Sequence, residues 1–261
     1  MFNAKDFKEY RNAIGFNAQK DLKTFLSAKD IKADINFQYI DDLTIRLKKI
    51  LNSLNSVVYD DLKQQNINEF ITVNIDNILV KLKQHNILPK LNNQGRRIEQ
   101  VYFSWMRGFV ICKFFAKALS LIFVVDEKEI VWVGKDNLDN PLLFARQPEA
   151  DFELKLQDNV IRFEIQSGYQ GINDIKEHKV REAKKQYKEN GIISVVIHFD
   201  LFNGQVAFVN ISQIQDDDIN WITRQQMEGQ TVFNIDQSFF VWKLIEKPPL
   251  VSEIKEIIFG E

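Results

Sequence analysis

Apolar residues in the first third of the chain recur at intervals of three and four. In "YIDDLTIRLKKILNSLNSVVYDDL", Leu43, Leu47, Ile50, Leu51, Leu54 and Val58 follow that spacing, which places them on one face of a helix. "INEFITVNIDNILVKLKQHN" repeats the pattern less cleanly, and Pro89 stands just past the expected stop. After the loop "LPKLNNQGRR" one long helix is expected over 96–119, with Trp105, Phe109, Phe114 and Phe115 as core residues. From "LIFVVDEKEIVWVG" onward the period changes to two, which predicts strands over 121–125, 130–133, 151–156 and 160–166. A helix over 172–190 then stops at Asn190 and Gly191. "ISVVIHFD" and "QVAFVNI" flank Phe202, Asn203 and Gly204, a hairpin signal. A further helix is expected over 212–227, and "TVFNIDQSFFVWKLI" adds one or two strands.

Strand, crossover helix and strand in succession argue for an α/β core with a mixed sheet, preceded by a helical region over 1–90. The 45% apolar content of the 261 residues is that of an ordinary globular chain. A formal net charge of -2 marks no global affinity for nucleic acid, so any such binding needs a local basic patch. The single cysteine, Cys112, permits no intrachain disulfide and no cysteine zinc cage. It reads as core filler in a reducing, cytoplasmic setting. The first residues carry charges where a signal peptide needs an apolar run, so export is not expected. Arg107, Lys113 and Lys117 interrupt "VYFSWMRGFVICKFFAKALSLIFVV", which argues against a membrane span and for a buried helix running into a strand.

The chemistry concentrates between 149 and 171. Along the two strands Asp151, Glu153 and Lys155 share one face, as do Arg162, Glu164 and Gln166, while the intervening residues are apolar. Register decides what these charges meet. A two-residue turn at Asp158 and Asn159 would oppose Glu153 to Glu164 and Lys155 to Arg162, two repulsive pairs. A "LQDN" loop would oppose Glu153 to Arg162, leaving Asp151 against Glu164. Two opposed carboxylates on a partly buried face need a shared proton or a cation. A divalent metal resolves the repulsion, and oxygen ligands without His or Cys suit Mg²⁺, with Mn²⁺ as a substitute, better than zinc.

Pro148, Asp151 and then "FEIQ" after a short hairpin resemble the active-site signature of the PD-(D/E)xK nuclease superfamily, and particularly of type II restriction endonucleases. The resemblance implies a restriction-endonuclease-like core over 91–261, with the helices of 1–90 serving dimerisation or holding DNA. It implies that Asp151 and Glu164 bind the metal and that Gln166 stands where a water-activating Lys is usual, a replacement carried by a minority of restriction enzymes. Gln is neither cation nor base at neutral pH. Gln166 would therefore orient the water, with Lys155 as the alternative helper. Glu99, on the preceding helix, is the third metal ligand that the resemblance suggests. Double-stranded DNA as substrate, a homodimer and a companion methyltransferase follow from the same likeness.

Phosphate contacts are expected from Arg96 and Arg97 and from the segment after the site, through Ser167, Tyr169, Lys176, Lys179 and Arg181. Gln170 and Asn173 are amides able to read adenine, or else turn and capping residues, and Asp174 is a candidate helix start. His178 reads as a partly exposed residue of the basic helix, with a DNA contact as the alternative, His85 and His198 lack metal-ligand spacing, and Asp216, Asp217 and Asp218 read as a solvated part of a helix. The alternatives are a structure-selective repair or recombination nuclease, a catalytically inactive DNA-binding protein of the same fold, and a salt-bridged hairpin without catalytic meaning.

Overall fold

The computed structural model describes residues 3–28, 30–31, 34–91, 96–133, 151–156, 159–225 and 229–260. Helices α1 (Ala4–Ala13) and α2 (Gln19–Leu26) precede α3 (Phe37–Val57), where Asn36 caps the Tyr39 N–H at 2.9 Å. The three-four repeat of α3 buries Ile40, Leu47 and Leu51 completely. The weaker repeat that follows has a physical cause. Helix α4 (Ile67–Ile71) passes through a π turn at Thr72–Asp76 into α5 (Asn77–Gln84). The wider turn resets the phase and keeps Ile71, Ile75, Ile78 and Leu82 inward.

The aromatic helix is two helices, α6 (Ile98–Phe114) and α7 (Ala116–Phe123), parted at Phe115. This corrects both the single helix over 96–119 and the strand over 121–125. Ala118, Leu119, Ile122 and Phe123 are buried at helical intervals, so a short apolar run with no polar alternation goes to the helix that packs it. Val124 ends α7 in the left-handed region at φ 56°, and the Val125 N–H returns to the Ser120 carbonyl at 3.1 Å.

Then come β1 (Val131–Trp132), β2 (Phe152–Leu156), β3 (Asn159–Gly168), β4 (Asp174–Lys176), α8 (Glu177–Asn190), β5 (Ile193–Asp200), β6 (Gln205–Asn210), β7 (Trp221–Arg224), β8 (Gln230–Asn234), β9 (Phe240–Lys243) and α9 (Lys255–Phe259). Among the described residues one sheet has the order β1-β2-β3-β5-β6-β9 and a smaller one the order β4-β8-β7. The large sheet is mixed. β2 and β3 pair antiparallel, β3 and β5 run parallel with α8 as crossover, and β5 and β6 pair antiparallel.

Both faces of the large sheet are covered, which is why β5 carries apolar residues on both, Val195 and Ile197 on one and Val196 on the other. Ile161, Phe163, Val195, Ile197 and Phe199 join the core of α3, α6 and α7, where Phe152 and Phe163 stack at 4.8 Å. Val196, Ala207 and Val209 face a second cluster with Val180, Ala183 and Phe233. Fully burying one such Phe contributes about 1.5–3 kcal/mol. The Tyr102 hydroxyl meets Thr44 Oγ1 at 2.8 Å between α6 and α3, which keeps a buried polar pair satisfied.

Two further corrections concern helices. The segment 172–190 begins as β4, because Asp174, Ile175 and Lys176 pair with Asn234, Phe233 and Val232, and helix starts only at Glu177. Asp174 starts no helix. It holds Arg224 through two hydrogen bonds of 2.9 Å. Within the described residues 212–225 the expected helix is instead a set of turns leading into β7, whose Ile222 and Thr223 pair with Val232 and Thr231, while Ile219 stands 93% exposed.

Candidate active site

Strands β2 and β3 take the register that opposes Glu153 to Arg162, and the two form a salt bridge at 3.0 Å. Pairing continues to Leu156 and Asn159, so Lys155 faces Val160 and is exposed. Gln157 and Asp158 lie outside the described residues, as do Pro148, Glu149 and Ala150 of the motif. One residue beyond the last ladder pair, Asp151 lies against β3 on both sides of Glu164. Its N–H donates to the Phe163 carbonyl at 2.9 Å, and its Oδ2 accepts the Ile165 N–H at 2.5 Å.

Glu164 is held from two directions. Gln166, two residues along the strand and on the same face, donates Nε2 to Glu164 Oε1 at 2.9 Å. Lys179, the third residue of α8, donates Nζ to the same oxygen and forms an ion pair with it. Helix geometry puts it there, since the neighbouring Val180 and Ala183 anchor α8 in the core beneath the sheet. Burial pulls the Lys179 ammonium below its ordinary value, and the Asp151 charge pushes it back up. Asp151, Glu164, Gln166 and Lys179 thus form one cluster of two carboxylates, an amide and an ammonium.

Glu99 stands apart from this cluster. Its Oε1 accepts the Asn36 N–H at 2.8 Å, and Arg97 reaches both of its oxygens at 3.2 Å, which ties α6 to the start of α3. Burial pushes its carboxyl up, but the bonds from Arg97 and Asn36 outweigh this and hold it below the usual value. Among the described residues no group of three His, Cys, Asp or Glu side chains is close enough to hold a metal ion.

Beyond Gln166, β3 runs beside a buried polar network. His198, next to Gln166 on β5, meets Asn173 Oδ1 at 2.7 Å, and Asp200 accepts from Asn173 at 3.4 Å and from Asn203 at 2.7 Å. Burial holds His198 down at about 4, against 6.5 ordinarily, so its ring is neutral near pH 7. A Cβ on Gly168 would stand 2.7 Å from both Asn173 Oδ1 and His198 Nε2, which explains glycine there. Asn173 is therefore a buried anchor of the turn after β3, and its amide is not presented to a base.

The remaining expected DNA contacts are dispersed. Ser167 lies on β3 beside Phe199, Gln170 is exposed in the turn, and Lys176 is exposed at the start of α8. Tyr169 is half-exposed and lies against the Arg107 guanidinium, 3.9 Å from the ring centre. Arg181 pairs with Glu177 at 2.5 Å, Arg96 reaches Ser104 at 3.2 Å, and Arg97 belongs to Glu99. Lys184 pairs with Asp216, which gives that acidic run a structural partner.

The sequence places Lys179 among the phosphate contacts, and the structure sets it against Glu164, a pairing that a strand lacking its Lys and a basic helix directly after it could have signalled. Arg107 enters the sequence reading only as an interruption of an apolar run, and the structure sets it against Tyr169. No helix of the described residues is long and apolar enough to cross a membrane. Comparison with protein-family models and with curated proteins finds no match to the chain.

Proposed function

We propose that the chain is a divalent-cation-dependent endonuclease of double-stranded DNA, of the type II restriction class, working through Asp151, Glu164, Gln166 and Lys179. The observation that carries this reading is the convergence of Lys179 on Glu164 beside Asp151: α8 supplies the ammonium that the strand lacks at Gln166. The topology supports it, since the carboxylate hairpin feeds a crossover helix and a parallel neighbour, the arrangement expected of a restriction-endonuclease-like core.

The donor set fits a hard cation. Two carboxylates and the Gln166 amide offer oxygen, and the Lys179 ammonium is positioned to move from Glu164 to an anionic substrate. A Mg²⁺ or Mn²⁺ held by Asp151 and Glu164 would lower the pKa of a water and neutralise charge on the scissile phosphate. The chain's own residues do the rest. Gln166 orients the attacking water through its amide, and Lys179 stabilises the charge that develops on the phosphoryl oxygens as the bond to the leaving oxygen breaks. Palindromic sites favour a symmetric homodimer, and host DNA would need a companion methyltransferase.

The test is to incubate the protein with unmethylated plasmid and phage DNA, with Mg²⁺ and with EDTA, alongside Asp151→Ala and Glu164→Ala. Discrete Mg²⁺-dependent fragments that vanish in both variants support the reading. A smear favours a structure-selective or non-specific nuclease. DNA left intact, but bound, favours an inactive DNA-binding protein in which Lys179 and Glu164 are a structural ion pair.

A further inference from the structure

A cleft of about 780 Å³ opens between α3, α6, the turn after β3 and the turn between β5 and β6. It lies on the helical side of the sheet. Tyr169 follows β3 on the face of Phe163 and Ile165, whereas Glu164 and Gln166 occupy the opposite face.

The walls combine two chemistries. Asp42, Ile45, Arg46 and Lys49 fall at i, i+3, i+4 and i+7 of α3, so one helix stripe presents two cations and one carboxylate to the cleft. Arg107 enters from α6 and adds a third cation. Among the described residues none of these three cations makes a salt bridge, and the Arg107 Nε is buried without a hydrogen-bond partner. The half-buried Arg107 guanidinium meets no carboxylate; burial pulls its pKa down, and Tyr169 pushes it partly back up. Two aromatic faces hold it instead, Tyr169 at 3.9 Å and Phe103 at 5.7 Å. At the mouth, Tyr169 and Phe202 stand 52% and 69% exposed, a large aromatic surface left in water.

We propose that this cleft binds a nucleoside phosphate, with the phosphate on Arg46, Lys49 and Arg107 and the base against Tyr169 and Phe202. The volume suits a ligand of that size. An excess of cations selects an anion, a planar guanidinium suits phosphate, and exposed rings offer a stacking face to a base. A bare anion would leave the aromatic mouth unexplained, and an apolar ligand would leave three cations unanswered. The ligand is either a free nucleotide or one nucleotide of a strand, and the proposal holds whether or not Asp151 and Glu164 cleave DNA.

The test is calorimetric titration of the whole chain in EDTA with a nucleoside 5′-monophosphate, the matching nucleoside, inorganic phosphate and a short single-stranded oligonucleotide. The monophosphate should bind at least about tenfold more tightly than nucleoside or phosphate alone. Tyr169→Ala and the double variant Arg46→Gln with Lys49→Gln should each weaken binding about tenfold or more, as lost stacking or lost phosphate contacts would. Arg46 and Lys49 are exposed, so that variant keeps its fold, which circular dichroism checks. Binding confined to the oligonucleotide, with the same losses, identifies a strand as the source and equally supports the site. Absence of binding to either, inorganic phosphate binding as tightly as the nucleotide, or affinities unmoved by the variants would overturn the proposal. The titrations are made in EDTA, where no metal-dependent cleavage occurs, and the variants lie outside the Asp151 and Glu164 cluster, which separates this result from any failure of the nuclease reading.

Discussion

Lys179 on α8 and Glu164 on β3 are joined by an ion pair across fifteen residues of chain, and Gln166 donates to the same Glu164 oxygen. The strand therefore has its ammonium partner without a lysine of its own.

Under the nuclease reading, Lys179→Met should lower Mg²⁺-dependent cleavage by about 10²-fold or more, the scale of losing one charge-stabilising donor. Gln166→Lys introduced into that variant should recover part of the activity, because it returns an ammonium to the same face of β3. Cleavage rates of the two variants on one plasmid decide the matter. Equal rates in Lys179→Met and the unaltered protein would remove Lys179 from the site.

Gly168→Ala should destabilise the fold by about 1–3 kcal/mol, the usual range for an overpacked position. The added methyl would meet Asn173 and His198 at 2.7 Å and push apart the pair that anchors the turn carrying Tyr169. Urea denaturation measures the loss, and Gly168→Ala should also weaken whatever binding Tyr169 supports.

His198 should make stability depend on pH. Its folded value of about 4 lies below the ordinary 6.5, so between these values the unfolded chain binds more protons than the folded one. Stability is thus undiminished by this group above 6.5, falls as pH drops through the window, and levels off below about 4. The full effect is on the order of 3 kcal/mol. His198→Gln should flatten that part of the profile, measured by denaturation at stepped pH.

Asp174→Ala should cost about 2–3 kcal/mol, since Asp174 receives two hydrogen bonds from Arg224 and one from Asn234 at 3.1 Å in the small sheet. Thermal melting of Asp174→Ala and Asp174→Asn tests this, with the amide expected to keep part of the Asn234 contact.

Much of the α/β architecture is legible in the order of residues. β2 and β3 alternate over five or more positions, β5 and β6 are rich in apolar residues, and the cost of opposing Glu153 to Glu164 selects the register that the structure adopts. Those signals are local, because side-chain period and neighbouring charge act within a few residues. The elements misread from sequence depend on partners far along the chain. β4 and β7 are strands because β8 pairs with both, and the apolar run at 121–123 is helical because α7 packs it into the core. Glu99 illustrates the same dependence, its acid committed to Asn36 sixty-three residues away.

What the sequence alone determined is which strands place Asp151, Glu164 and Gln166 on one face. Only tertiary structure decided that Lys179 turns to Glu164, that Asn173 is buried against His198, and that Arg107 meets Tyr169. The reason is physical: strand alternation follows from the backbone itself, whereas the direction of a long side chain on a crossover helix is set by how that helix packs on the sheet.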